Sequence, residues 1–144
     1  MATVALDLLG GDGAPGVVAD AIARLCGPES SQPGSPDPAD LIVVGPAAVA
    51  RELLVERGVD PDRVRIVDAG RGASMAGNPL SMLRAHDDVT VTVAVGLVNA
   101  GLADAWVSVG HTGAAVAAAV LGLGRLSGMS RPALAVVLPS LAGP

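Results

Sequence analysis

The sequence predicts a doubly wound α/β sandwich, a mainly parallel sheet held between two layers of helix. Three observations predict it. Short apolar runs at Thr3 to Leu9, Leu41 to Val44 and Val64 to Val67 read as strands covered on both faces. Stretches with helical spacing separate them, and this β-α-β-α-β rhythm gives right-handed crossovers and parallel pairing. Glycine-rich turns follow the strands, most plainly at Gly10-Gly11-Asp12-Gly13 and Gly110-His111-Thr112-Gly113.

Taken in order, the first strand ends in the glycine turn, and Pro15 suits the first turn of a helix carrying Val17, Val18, Ile22 and Leu25. From Gly27 to Asp40 the chain is rich in Pro, Ser and Gly, a composition that prolines keep out of regular ladders, and it reads as a flexible surface loop over residues 27–40. Leu41 to Val44 is the second strand. Ala47 to Arg57 is a helix with Val49, Leu53 and Leu54 at helical spacing and Gly58 at its C-terminal end. Val64 to Val67 is the third strand.

Val89 to Val95 alternates strictly and is β-branched, so propensity alone predicts a strand, although Gly96 to Gly101 reads as a helix end. Trp106 to Val109 is predicted as strand, Thr112 to Leu126 as helix, and Ala133 to Leu138 as a terminal strand.

With 144 residues the chain is sized for one α/β domain, residues 1–144, and can bury a real core. It is 51% hydrophobic yet has no Phe or Tyr, one Trp and no Lys, so Ala, Val and Leu must build that core. A net charge of -5 with all nine basic residues Arg excludes the clustered basic face of a nucleic-acid binder. Cys26 has no partner for an internal disulfide, which fits a reducing compartment, and reads most simply as a small buried residue. The N-terminus lacks a basic n-region and Asp7 interrupts its apolar run, so no signal peptide is expected. The apolar stretch from Gly113 to Leu123 falls short of the roughly 20 residues of a membrane span.

The candidate chemistry lies at Ser108-Val109-Gly110-His111-Thr112-Gly113-Ala114, where a strand C-terminus meets a helix N-terminus. Open α/β sheets bind ligands at such places, and free helix N–H groups suit a phosphate or a developing oxyanion. Gly110 and Gly113 permit the sharp turn, Ser108 and Thr112 supply hydroxyls, and Thr112 is also a candidate N-cap. His111 is a candidate hydrogen-bond donor to phosphate when protonated, or a proton shuttle when neutral. An ordinary glycine turn with a capping Thr has the same pattern. If the first strand runs parallel to the one before His111, Gly11 and Asp12 lie on the same sheet edge and the two loops form a cleft. Asp12 is equally a helix cap, and Asp7 an acceptor for loop amides. Asn78-Pro79 and His86-Asp87-Asp88 read most simply as a solvated helix start, and nothing here has metal-ligand spacing. No phosphate-loop lysine turn, nucleophile elbow or full dinucleotide fingerprint is present, and no cofactor is expected.

Leu6-Asp7-Leu8-Leu9-Gly10-Gly11-Asp12, Val107-Ser108-Val109-Gly110-His111-Thr112-Gly113-Ala114, and Arg131-Pro132-Ala133-Leu134 with Val137-Leu138-Pro139 occur together and in this order. In this the chain resembles the PlsX family of phosphate acyltransferases. The resemblance covers most of the chain but only the N-terminal portion of a longer family member. It implies a fold similar to isocitrate dehydrogenase and phosphotransacetylase, with a cleft completed by a second half. The implied reaction transfers an acyl group from acyl-acyl carrier protein to inorganic phosphate, giving an acyl phosphate for phospholipid synthesis. The resemblance also implies a cytoplasmic homodimer that associates peripherally with the membrane surface, and a helix over Val89 to Leu102, which is the expectation adopted. His111 and Asp12 are then the catalytic candidates, with Ser108, Gly110, Thr112, Gly113, Ala114 and Gly11 around the phosphate. The chain departs from the family at His111, where Asn is usual, and at His86 to Thr90, where basic residues followed by Asp-Ser-Ser are usual. A chain without the second half is expected to self-associate, to pair with a complementary chain or to lose stability. The alternative reading is a non-catalytic phosphate- or acyl-binding relic or fragment.

Overall fold

A computed structural model describes residues 2–27, 40–73 and 78–135 of the chain. In chain order the elements are β1 (Thr3–Asp7), α1 (Gly16–Cys26), β2 (Asp40–Gly45), α2 (Ala47–Glu56), a short 3-10 turn (Pro61–Arg63), β3 (Arg65–Asp68), α3 (Pro79–Ala85), α4 (Thr90–Asn99), β4 (Ala105–Val107) and α5 (Thr112–Gly122).

The four strands form one parallel sheet in the order β3-β2-β1-β4. Alternation along β2 shows how it is covered. Val43 packs with Val18 and Ile22 of α1 and Ala50 and Leu54 of α2. Its neighbours Ile42 and Val44 point the other way, onto Ala5, Ala94 of α4 and Ala103. A third cluster joins Val91 and Val95 of α4 to Leu83 of α3 and Ala118 of α5. The result is the expected α/β/α layering. The chain winds outward from β1 through β2 to β3, then returns to β1's other side for β4, so β1 and β4 flank the point where the winding reverses.

Several boundaries differ from the sequence expectation. Thr90 to Val95 is helical, with Val89 its extended N-cap, as the family resemblance implies and against its propensity: Val91, Ala94 and Val95 are buried along α4 on the sheet and on α3 and α5, and that burial outweighs β-branching. Helix α5 stops at Gly122 rather than Leu126, with Gly124 in the left-handed region at φ +79°. Strand β4 ends at Val107, two residues early. Residues 133–135, expected to begin a strand, are irregular, and the rest of that expected strand lies outside the described residues, as do residues 28–39 of the expected loop. Pro15 is the N-cap of α1 and not a residue of its first turn, and Gly58 follows the C-cap Arg57 at φ +70°.

Candidate functional site at the reversal of the sheet

Strands β1 and β4 pair in register, Ala5 beside Trp106 and Leu6 beside Val107, which delivers the loops that follow them to the same edge. Where the order of winding reverses, two adjacent loops leave in opposite directions and open a crevice, the usual ligand position in such sheets. The two glycine turns meet there. A Cβ on Gly110 would lie 3.1 Å from Gly10 Cα and 3.4 Å from Gly11 N, so the backbones touch without intervening side chains. Gly11, at φ +100°, sits against Val109, whose carbonyl would be 3.0 Å from any Cβ placed there.

One buried polar contact locks the loops. Asp7 is 1% exposed; its Oδ2 accepts a 2.7 Å bond from the Ser108 hydroxyl and its Oδ1 accepts from Leu9 N–H at 3.1 Å. The same Ser108 oxygen accepts from Gly110 N–H at 3.2 Å. Asp7 therefore accepts a loop amide, one of the roles expected for it, and also reaches across to the other turn. The pairing with Ser108 was not legible from spacing; the trace it leaves is a carboxylate at the end of an otherwise apolar strand.

Helix α5 is capped by an imidazole. His111 is its N-cap, and Nδ1 accepts from Gly113 N–H at 2.9 Å, so Thr112 stands inside the first turn and does not cap. Asn is a favoured cap because its Oδ1 is bonded to Cγ and reaches the N–H two residues on. Nδ1 of histidine is also bonded to Cγ, so His111 caps the helix as an Asn would, with a nitrogen acceptor. A neutral ring accepting at Nδ1 carries its proton on Nε2.

The amides of the turn divide into two groups. Gly110 and Gly113 donate to Ser108 and His111 side chains, and Ala115 to the His111 carbonyl. No described residue accepts from the N–H groups of His111, Thr112 and Ala114. Those three are the open donors at the positive end of α5 among the described residues.

Other expected residues fall as follows. Asp12 is exposed on the β1 loop and makes no hydrogen bond to a described residue; it does not cap α1, whose N-cap Pro15 has no side-chain cap. Asn78 Oδ1 caps α3 through Leu80 N–H at 3.0 Å, the helix-start reading. Pro79 approaches Gly113, 3.7 Å from a Cβ placed there, which sets the start of α3 beside that of α5. Asp88 pairs with Arg71 at 3.1 Å, and the buried hydroxyls of Thr90 and Thr92 have no hydrogen-bond partner among the described residues. Cys26 lies at the far end of α1, where burial pushes its thiol up and Arg63 partly offsets this. Among the described residues no group of three or more His, Cys, Asp or Glu is placed to hold a metal, and no helix is long and apolar enough to cross a membrane.

Fold and site together define a doubly wound α/β architecture with a glycine-lined crevice where the winding reverses. The family model described as "Fatty acid synthesis protein" matches residues 2–144, and the chain belongs to that family. It is similar to a phosphate acyltransferase of Desulfitobacterium hafniense, 38% identical over 143 residues that cover 99% of this chain and 40% of that protein. Phosphate acyltransferases of Thermosynechococcus vestitus and Methylococcus capsulatus are 41% and 39% identical, over 97% and 99% of this chain. The chain spans about two fifths of the length of these relatives.

Proposed function

We propose that this chain supplies the phosphate-holding region of a phosphate acyltransferase, in which inorganic phosphate attacks the thioester of an acyl-acyl carrier protein. The observation that carries the reading is the meeting of the two glycine turns at the reversal point, with the open N–H groups of His111, Thr112 and Ala114 at the start of α5. Phosphate sits over these amides with Gly11 and Gly110 allowing close backbone approach and Gly113 within the same turn. Asp7 holds Ser108, and Ser108 holds the turn, so its hydroxyl acts on the phosphate through Gly110.

In the reaction a phosphate oxygen bonds to the acyl carbon, the carbon–sulfur bond breaks, and the carrier thiolate leaves and takes up a proton. The negative charge that gathers on the carbonyl oxygen is met by preorganised donors, among them Nε2–H of His111. Asp12, exposed on the neighbouring loop, is the candidate to accept the proton that phosphate gives up. Two substrates held side by side need no covalent enzyme intermediate. The same reading makes residues 1–144 one α/β domain. It also makes the working protein a cytoplasmic homodimer that touches the membrane surface peripherally, feeding phospholipid synthesis.

The test is formation of acyl phosphate, trapped as hydroxamate, from acyl-acyl carrier protein and inorganic phosphate. The reading predicts product in a full-length relative whose corresponding residues are replaced by this chain, and loss of product when Gly110 is replaced by Ala. Product that survives this substitution unchanged would refute the assignment of the turn.

A further inference from the structure

We propose that His111 ties anion binding at the start of α5 to the uptake of a proton, an inference about the regulation of the crevice that rests on the phosphate-holding reading above.

The neutral ring is committed to the helix. Its Nδ1 accepts from Gly113 N–H at 2.9 Å, and the ring lies against that glycine, since a Cβ on Gly113 would be 2.8 Å from His111 Cε1 and 3.2 Å from Nδ1. The imidazole therefore covers the N–H group it bonds, in space that a side chain at residue 113 would fill. An imidazolium carries a proton on both nitrogens and has no lone pair to accept with. Proton uptake ends the cap bond, which is the one hydrogen bond of the ring among the described residues. Freed of it, the half-buried ring swings off Gly113. The N–H of Gly113 then joins those of His111, Thr112 and Ala114, and a cation stands beside them.

Little besides an incoming anion offsets that charge. The dipole of α5 opposes an imidazolium at its positive end, and the first turn of α5 has no acidic residue. Neither α5 nor α4, which packs on it, carries an ionisable side chain. On α3 the charged residue is Arg84 in the last turn, with His86 as the C-cap, whereas Gly113 meets the other end of that helix at Pro79. On the β1 side, Asp7 is buried and holds Ser108 and Leu9, and Asp12 is exposed on its loop, where water and salt screen it. Asp88 is paired with Arg71. An anion at the turn and a proton on His111 thus favour one another, and by linkage each raises the affinity for the other by the same factor. An Asn in this place would cap with an amide that does not titrate, so the coupling belongs to the imidazole.

The probe is inorganic sulfate, which stays doubly charged where phosphate itself takes up a proton. Carboxylates and guanidiniums ordinarily keep their charge between about pH 5.5 and about pH 8, so histidine is the side chain that changes there. The isotope-labelled full chain is titrated with sulfate at these two pH values and fixed ionic strength, following the Thr112 and Ala114 amides. The proposal predicts saturable shifts with a dissociation constant at least about fivefold lower at the acid pH. In His111→Asn, where His86 is the remaining histidine, the two constants should be equal. In the parent chain, saturating sulfate should also move the midpoint of the His111 Hε1 titration to higher pH, a readout that stands even if the variant does not fold. Equal constants in the parent, a pH dependence that persists in folded His111→Asn, or a ring titration that sulfate leaves in place overturns the proposal. Each of these leaves the phosphate-holding reading intact as long as the amides shift and saturate. Amides that sulfate moves at neither pH retire that reading, and this inference with it.

Discussion

The hydroxyl of Ser108 donates to Oδ2 of Asp7 across 2.7 Å, joining two residues 101 positions apart. Both loops of the crevice depend on it, since Asp7 also holds Leu9 and Ser108 also holds Gly110. A hydrogen bond to a charged group contributes about 1.5 to 3 kcal/mol, and a buried carboxylate left without its donor is worse off still. Ser108→Ala is therefore expected to lose about 2 kcal/mol in urea unfolding. Asp7→Ala with Ser108→Ala should lose less than the sum of the two single changes by about 1 kcal/mol or more. Strictly additive losses would mean that the pair does not couple the loops.

Glycines divide by surroundings. A Cβ on Gly10 would lie 2.7 Å from Ser108 Oγ and 2.9 Å from Asp7 Oδ2, inside the lock itself. Gly10→Ala should cost about 1 to 3 kcal/mol, as overpacking does. Gly96 stands within α4 with nothing within 4 Å of a new Cβ, and Gly96→Ala should raise stability by about 0.5 to 1 kcal/mol. Thermal melts of the two variants check both signs.

His111 is predicted to be exchangeable with Asn as a helix cap. His111→Asn keeps an acceptor on the atom bonded to Cγ, so its melting temperature should stay near that of the parent. His111→Ala should lose about 1 kcal/mol. If Asn is as damaging as Ala, the bond from Gly113 N–H is not what the position supplies.

Much of the architecture was legible because burial on both faces of a parallel sheet leaves a direct mark: apolar runs at 3–9, 41–44 and 64–67 appear as β1, β2 and β3 within a few residues. The convergence of the two glycine turns followed from parallel pairing alone. What could not be read from the residues alone depended on partners distant in sequence. The valines of α4 look like strand until α3, α5 and the sheet are there to bury them. The Asp7 to Ser108 bond has no local signature, and an imidazole cap is missed by any rule that looks for Ser, Thr, Asp or Asn.

Cys26 gives a pH-dependent prediction. Burial raises its thiol above the ordinary 9.0, so the folded state favours the protonated form. The corresponding stability is complete below that ordinary value and is lost as pH rises through the folded one. Thiolate is the nucleophile, so iodoacetamide should modify Cys26 more slowly in the folded chain than in the urea-unfolded chain at neutral pH. Equal rates would contradict the burial argument.

The central claim is that the start of α5 holds inorganic phosphate, and amide chemical shifts test it most directly. Titration of the isotope-labelled chain with phosphate should move the His111, Thr112 and Ala114 resonances along one saturable curve, with Gly11 following and Gly96 unmoved. Shifts that fail to saturate, or that leave these three amides in place, would show that the turn holds no phosphate.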